Sequence, residues 1–239
     1  MTDLLDLAVQ AHGGMERWRQ LRSIRVAASI TGAIWFVKGQ GNTLKDVILT
    51  VNTTTERVTI DFPGRNRRAI FTPSRIEIKS EDGTLIAARD DPETSFVGHQ
   101  RETPWDDDIH VVYFAGEALW TYLNMPFLYT RDGFATQEIS PIEVDGETWR
   151  RLQVTFPDDV RSHTRSQISC FGPDGLLRRH DYTVDILRGA TGLNYATAHR
   201  DVDGITIPTK RRVYAYEGDY QPVWEPLLVS IDMGAITIS

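Results

Sequence analysis

The sequence predicts an α+β, mostly β fold: a large curled antiparallel sheet, or half-barrel, around one central helix. Three observations predict it. Short runs rich in Val, Ile, Thr and aromatic residues fill most of the chain after Ser23, Asp-Gly turn chemistry separates several of them, and one long stretch after Asp108 has helical periodicity instead of alternation. About a dozen strands make a sheet too large to stay flat, so it should coil round that helix and leave a concave face. With 239 residues, 41% hydrophobic and 10% aromatic, a single domain spanning 1–239 can bury a core without metals or disulfides.

The elements follow in order. Leu4, Leu5, Leu7, Ala8 and Ala11 recur at helical spacing, and His12, Gly13 and Gly14 then break the helix before a short second one carrying Trp18 and Leu21. The glycines read as a helix terminus, with a phosphate nest as the alternative. Strands are expected at 24–30, 33–37, 44–51, 57–62, 68–71, 75–78 and 85–88. The segment Asp90 to Asp108 holds Pro92, Pro104 and several acids without periodicity, and it reads as a lid. Asp108 is the expected N-cap of the long helix, whose apolar positions Ile109, Val112, Tyr113, Gly116, Leu119, Trp120 and Leu123 continue until Pro126 stops them. Asp106, Asp107 and Asp108 most simply form the loop and cap. Strands resume at 134–139, 149–156, 163–171, 176–187, 193–200, 205–216 and 227–238, with hairpin turns at 144–146, 173–175 and 201–204.

Composition excludes several functions. A formal net charge of −7 argues against nucleic acid as a partner, because that contact needs a basic face. Arg65, Arg67 and Arg68, and likewise Lys210, Arg211 and Arg212, read as solvated strand faces. The single Cys170 behaves as a small hydrophobe in a β-like run. No apolar run reaches the roughly eighteen residues of a membrane span, and the N-terminus shows no export signal, so a cytoplasmic location is expected. Cofactor fingerprints are absent: there is no P-loop, no G-x-G-x-x-G after a strand and no G-x-S-x-G elbow.

The candidate site comes from the hairpin whose tip holds Pro173 and Asp174. Its simplest register places Gln167 across from His180, His163 across from Val184 and Arg165 opposite Tyr182. Alternation then puts His163, Gln167 and Phe171 on one face with Leu176, His180, Tyr182 and Val184, and His199 on the next strand can join them. Apolar walls with a few convergent polar groups are what a ligand pocket looks like. The same histidines also fit as solvent-facing or core residues. A metal site lacks support, since neither H-x-H nor C-x-x-C spacing occurs.

Two functions follow. The first is binding of a small lipophilic molecule on the concave face, with Trp35, Trp120, Tyr122, Phe127, Phe171 and His199 as contacts. The alternative is a cofactor-independent lyase, isomerase, cyclase or hydrolase acting on a hydrophobic metabolite. There His180 is the general base, Gln167 or Tyr182 orients it, His163 assists, and Arg178 or Arg212 balances developing charge. An interaction module using an exposed strand edge has no positive sign in the sequence.

Ala11, His12, Gly13 and Gly14, followed by Trp18, Leu21, Ser23 and Ile24 and then strands, resemble the opening of the bacterial lipoprotein-carrier-like proteins of the LolA and LppX superfamily. Residues 175–185 and 203–214 look like those of uncharacterised bacterial proteins that share this opening. The resemblance implies an unclosed antiparallel half-barrel, a helix plugging its concave side and a hydrophobic cavity for acyl chains. Those carriers are exported and nothing in this sequence specifies export, so the resemblance lends the fold and the apolar cavity and no functional residue.

Overall fold

Two meanders of antiparallel strands, each rich in β-branched residues, must share one sheet, and the chain solves this by starting in the middle. The computed structural model describes residues 3–239; Met1 and Thr2, where the N-terminal reading begins, lie outside the described residues. Helices α1 (Leu4–Ala11) and α2 (Gly14–Trp18) come first. Strand β1 (Ser23–Thr31) then opens a meander through β2 (Val47–Asn52), β3 (Val58–Phe62), β4 (Arg67–Thr72), β5 (Arg75–Ser80) and β6 (Leu85–Asp90), the last of which is one edge of the sheet. The second meander starts at the opposite edge with β7 (Ala135–Val144). It returns inward through β8 (Glu147–Thr155), β9 (Ser166–Phe171), β10 (Leu177–Val184), β11 (Ala190–Val202) and β12 (Ile205–Glu217). The short β13 (Gln221–Val223) pairs with β12, and β14 (Val229–Ile238) closes the centre between β1 and β12. The sheet is open, with β6 and β7 unjoined.

This topology requires a connection from one edge to the other across the concave face. The connection is made by 17-residue α4 (Asp108–Asn124), about 25 Å long at the α-helical rise. A helix wrapped on all sides has no polar stripe, and every residue from Ile109 to Asn124 is buried. Its N-cap is Asp107, whose Oδ1 accepts the His110 N–H at 3.1 Å, one residue earlier than expected.

Close approach of α4 to the sheet depends on Gly116, where a Cβ would lie 2.3 Å from Phe71 Cγ. Gly116→Ala therefore sets an overpacking loss of about 1–3 kcal/mol against a gain of about 1 kcal/mol in helix propensity. We expect a net loss of about 1–2 kcal/mol in urea denaturation; an unchanged midpoint would mean that α4 can slide off the sheet.

Three local expectations fail for identifiable reasons. Residues 33–37, expected as a strand, form helix α3 (Ala33–Val37), because Trp35 is drawn in against Trp105 and Phe114. Strand β9 begins at Ser166, so His163 and Arg165 precede it, and Leu176 likewise precedes β10. The register differs as well. A bulge between Leu177 and Arg179 sets His180 opposite Ser169, not Gln167, and Arg178 turns out to Glu147 and Asp174. Because the displacement at His180 is two residues, Gln167 and Phe171 keep the face assigned to them.

The turns at Asp145-Gly146 and Asp203-Gly204 take positive φ at both residues, as tight hairpins need. Gly13 is a helix terminus against the second of these, where a Cβ would meet the Gly204 carbonyl oxygen at 2.1 Å. The lid segment is strapped down. Lys38 Nζ donates to the Arg101 and Thr103 carbonyls at 2.7 and 2.9 Å, and Gln40 Nε2 donates to the Trp105 carbonyl at 2.7 Å.

Candidate functional site

Side chains of α4 fill most of the concave face, and the hollow left between helix and sheet is a cavity of about 30 Å³. Trp35, Phe114, Ala118, Tyr122, His163 and Tyr182 are among its walls. Four expected site residues therefore meet at one place, although they come from α3, α4, the segment before β9, and β10. His163 is held there by its backbone, since its carbonyl accepts the Asp185 N–H at 2.8 Å. Just outside, a groove of about 460 Å³ runs between the lid residues Glu93, Phe96 and Val97 and the turn residues Asp185, Ile186 and Arg188. Val97 is 82% exposed on its rim.

Burial governs the electrostatics of the cavity. His163 Nδ1 lies 2.7 Å from Glu117 Oε1, both side chains being almost wholly enclosed. Burial pushes the Glu117 carboxyl above the usual carboxylate range, while the hydrogen bond and charge of His163 pull it the other way. Tyr122 and Tyr182 share a hydroxyl–hydroxyl hydrogen bond of 2.6 Å, and burial raises both phenols, Tyr122 to about 12.

His180 sits behind this pair, its ring 5.0 Å from that of Tyr182 and 5.8 Å from that of Tyr122. Neither of its ring nitrogens has a hydrogen-bond partner, and burial, reinforced by Arg211, holds it well below the usual histidine range. Gln167 Nε2 donates to the Thr164 carbonyl at 2.6 Å and the Tyr182 hydroxyl is engaged with Tyr122, so neither of these bonds is made to His180. Arg178 and Arg212 lie in ion pairs with Glu147 and Asp232.

The remaining candidates lie elsewhere, Trp120, Phe127 and Phe171 in the core and His199 half-buried. Trp120 Nε1 donates to the Asn52 and Thr55 carbonyls, Phe127 stacks on Trp18 at 4.2 Å, and Phe171 and His199 pack around His12. Sequence reasoning missed Phe114, Glu117, Asn194 and Arg211. Glu117 did carry a signal, as the one acid of α4 beyond its first residue. Arg211, expected on a solvated face, is instead 1% exposed. Its neighbours Lys210 and Arg212 alternate to the other side, and the guanidinium lies 4.6 Å over the Tyr122 ring. Among the described residues no cluster of three or more metal-ligating side chains occurs, and no helix is long and apolar enough to cross a membrane.

No family model and no curated protein matches the chain. Solved structures do. A DUF1329 family protein from Desulfovibrio piger aligns with a TM-score of 0.53 at 13% identity, covering 99% of this chain and 92% of that one. A LolA superfamily protein from Nitrosomonas europaea aligns with a TM-score of 0.49 at 10% identity, over 97% and 93% of the two chains. Lipoprotein LppX from Mycobacterium tuberculosis aligns with a TM-score of 0.29 at 12% identity, over 100% and 95%. At such identities the likeness is one of fold alone, an open antiparallel sheet wrapped round a helix.

Proposed function

We propose that this protein binds a small lipophilic molecule between α4 and the concave face of the sheet. The observation that carries the reading is the composition of the cavity between them: aromatic and aliphatic walls with His163, Tyr122 and Tyr182 converging on it. Ligand pockets typically measure about 300–1,000 Å³, so a cavity of about 30 Å³ has to open to admit a guest. The lid is the segment suited to this. It runs from Asp90 to the N-cap of α4, borders the outer groove, and is tied to the body by Lys38 and Gln40, by Arg188 and Arg161, and by the buried rings of Phe96 and Trp105.

Native mass spectrometry of the protein purified from its own host tests the reading. A co-purifying apolar compound that is lost on solvent extraction is expected. A bare chain mass, together with no uptake of any apolar probe, would refute it.

A second reading, a cofactor-independent enzyme acting on a hydrophobic metabolite, is favoured by one observation. The Glu117–His163 pair at the cavity wall has the carboxylate–imidazole form that orients a general base. On this reading His163 is the base, since it has the orienting partner that His180 lacks.

A further inference from the structure

Arg211, His180 and Asn194 share one patch of the concave face. Asn194 on β11 stands directly opposite His180 on β10 and opposite Val213 on β12, and Arg211 is two residues from Val213 on the same side. All three are enclosed, at 1%, 1% and 0% exposure. The guanidinium gives its Nη2 to the Tyr122 carbonyl at 3.0 Å and to Met125 Sδ at 3.8 Å. Its Nε and Nη1 have no partner, nor does either ring nitrogen of His180, and the Asn194 amide lies beside the Tyr122 and Tyr182 hydroxyls. Among the described residues Arg211 makes no ion pair, although buried cations in proteins are ordinarily paired. Burial lowers it only to about 10, so it stays charged at neutral pH.

Water can satisfy unpartnered N–H groups but cannot neutralise a cation. The chemistry that satisfies both demands is a small oxyanion. One guanidinium, one neutral imidazole N–H and one amide NH₂ match a single negative charge with two oxygens better than a phosphate dianion, which calls for more than one cation. Tyr122 links this patch to the cavity, because its ring covers the guanidinium and also forms part of the cavity wall.

We propose that the ligand is a carboxylate-bearing amphiphile, whose head is taken by Arg211, Asn194 and His180 while its apolar tail lies along Tyr122 towards Trp35 and Ala118. The inference rests on the lipophilic-binding reading and adds the head-group to it.

Titration with dodecanoate and dodecanol, each below its aggregation threshold and followed through tryptophan fluorescence, tests it, with sodium acetate as a third arm. Dodecanoate should bind about 10- to 100-fold more tightly than dodecanol, the range expected of a charge-assisted hydrogen bond made in a buried site, and acetate should produce no response. In Arg211→Met the two twelve-carbon probes should bind alike, and Asn194→Leu should lower the preference about three- to tenfold. Equal affinities in the unmodified protein would overturn the inference and leave the lipophilic reading standing. A response to acetate equal to that of dodecanoate would mean a site for a free small anion and would overturn it as well. Failure of both twelve-carbon probes to bind would overturn the inference and the reading together.

Discussion

His163→Leu should destabilise the protein by about 3 kcal/mol at pH 7, the upper end of the cost of leaving a buried polar group without its partner. The substitution nearly conserves volume, so little of the loss would come from packing against Phe114 and Tyr182. What remains is the Glu117 carboxyl, enclosed in the middle of α4 with its 2.7 Å partner gone. That group escapes part of the penalty by taking a proton, so the loss should shrink as the pH is lowered towards 5. The reverse change, Glu117→Gln, should cost less, since the amide is uncharged and keeps a hydrogen bond with the His163 ring. The double variant should recover most of the loss. Urea denaturation of the two single variants and the double variant at pH 5 and 7 measures this, and a His163→Leu loss below about 1 kcal/mol would show that the pair is not coupled.

The parts of the fold that the sequence disclosed are those in which local chemistry and tertiary packing agree. α4 announced itself through apolar periodicity between an Asp cap and Pro126, and the Asp-Gly hairpins through residues that tolerate positive φ. Where packing overrode local preference the reading failed. The β-favouring run at 33–37 became α3 because burying Trp35 beside Trp105 outweighs strand propensity. The bulge next to Arg178 could not be counted from turn residues, because it comes from ion pairs made across the sheet by a side chain leaving the barrel.

For the site, aromatic and histidine content drew attention to Trp35, Tyr122, His163 and Tyr182, which do converge. The same reasoning swept in Trp120, Phe127, Phe171 and His199, whose partners are core groups. Arg211 stayed hidden because an Arg between Lys210 and Arg212 looks like one of three surface cations. Only the strand alternation, with β12 at the centre of the sheet, sends it inward. Buried charge is thus the least legible part of this interior and its most informative part: beneath α4 lie the Arg211 guanidinium, His163 and His180, with the Glu117 carboxyl on the helix itself.

A half-buried carboxyl gives the other large effect. Glu56, in the turn between β2 and β3, accepts the Arg161 N–H on Oε2 at 3.0 Å and leaves Oε1 without a partner. Burial raises it to about 8, with Glu117 adding to the rise and Arg161 and Arg131 opposing it. The folded chain therefore holds a proton at pH values where the unfolded chain has released it. This contribution to stability is complete below about pH 4.5, declines as the pH rises, and is gone above about 8. At about 1.4 kcal/mol per pKa unit the decline is on the order of 3–5 kcal/mol. Glu56→Gln keeps the acceptor for Arg161 and carries no proton to lose. Its stability relative to the unmodified protein should therefore rise steadily between pH 5 and 8, by about 3 kcal/mol in all. Subtracting the two denaturation profiles removes the opposing contribution of His12 and His180, whose depressed values destabilise the fold as the pH falls. A flat difference across that range would place the Glu56 carboxyl in contact with water, and the turn between β2 and β3 would then be open beside the lid.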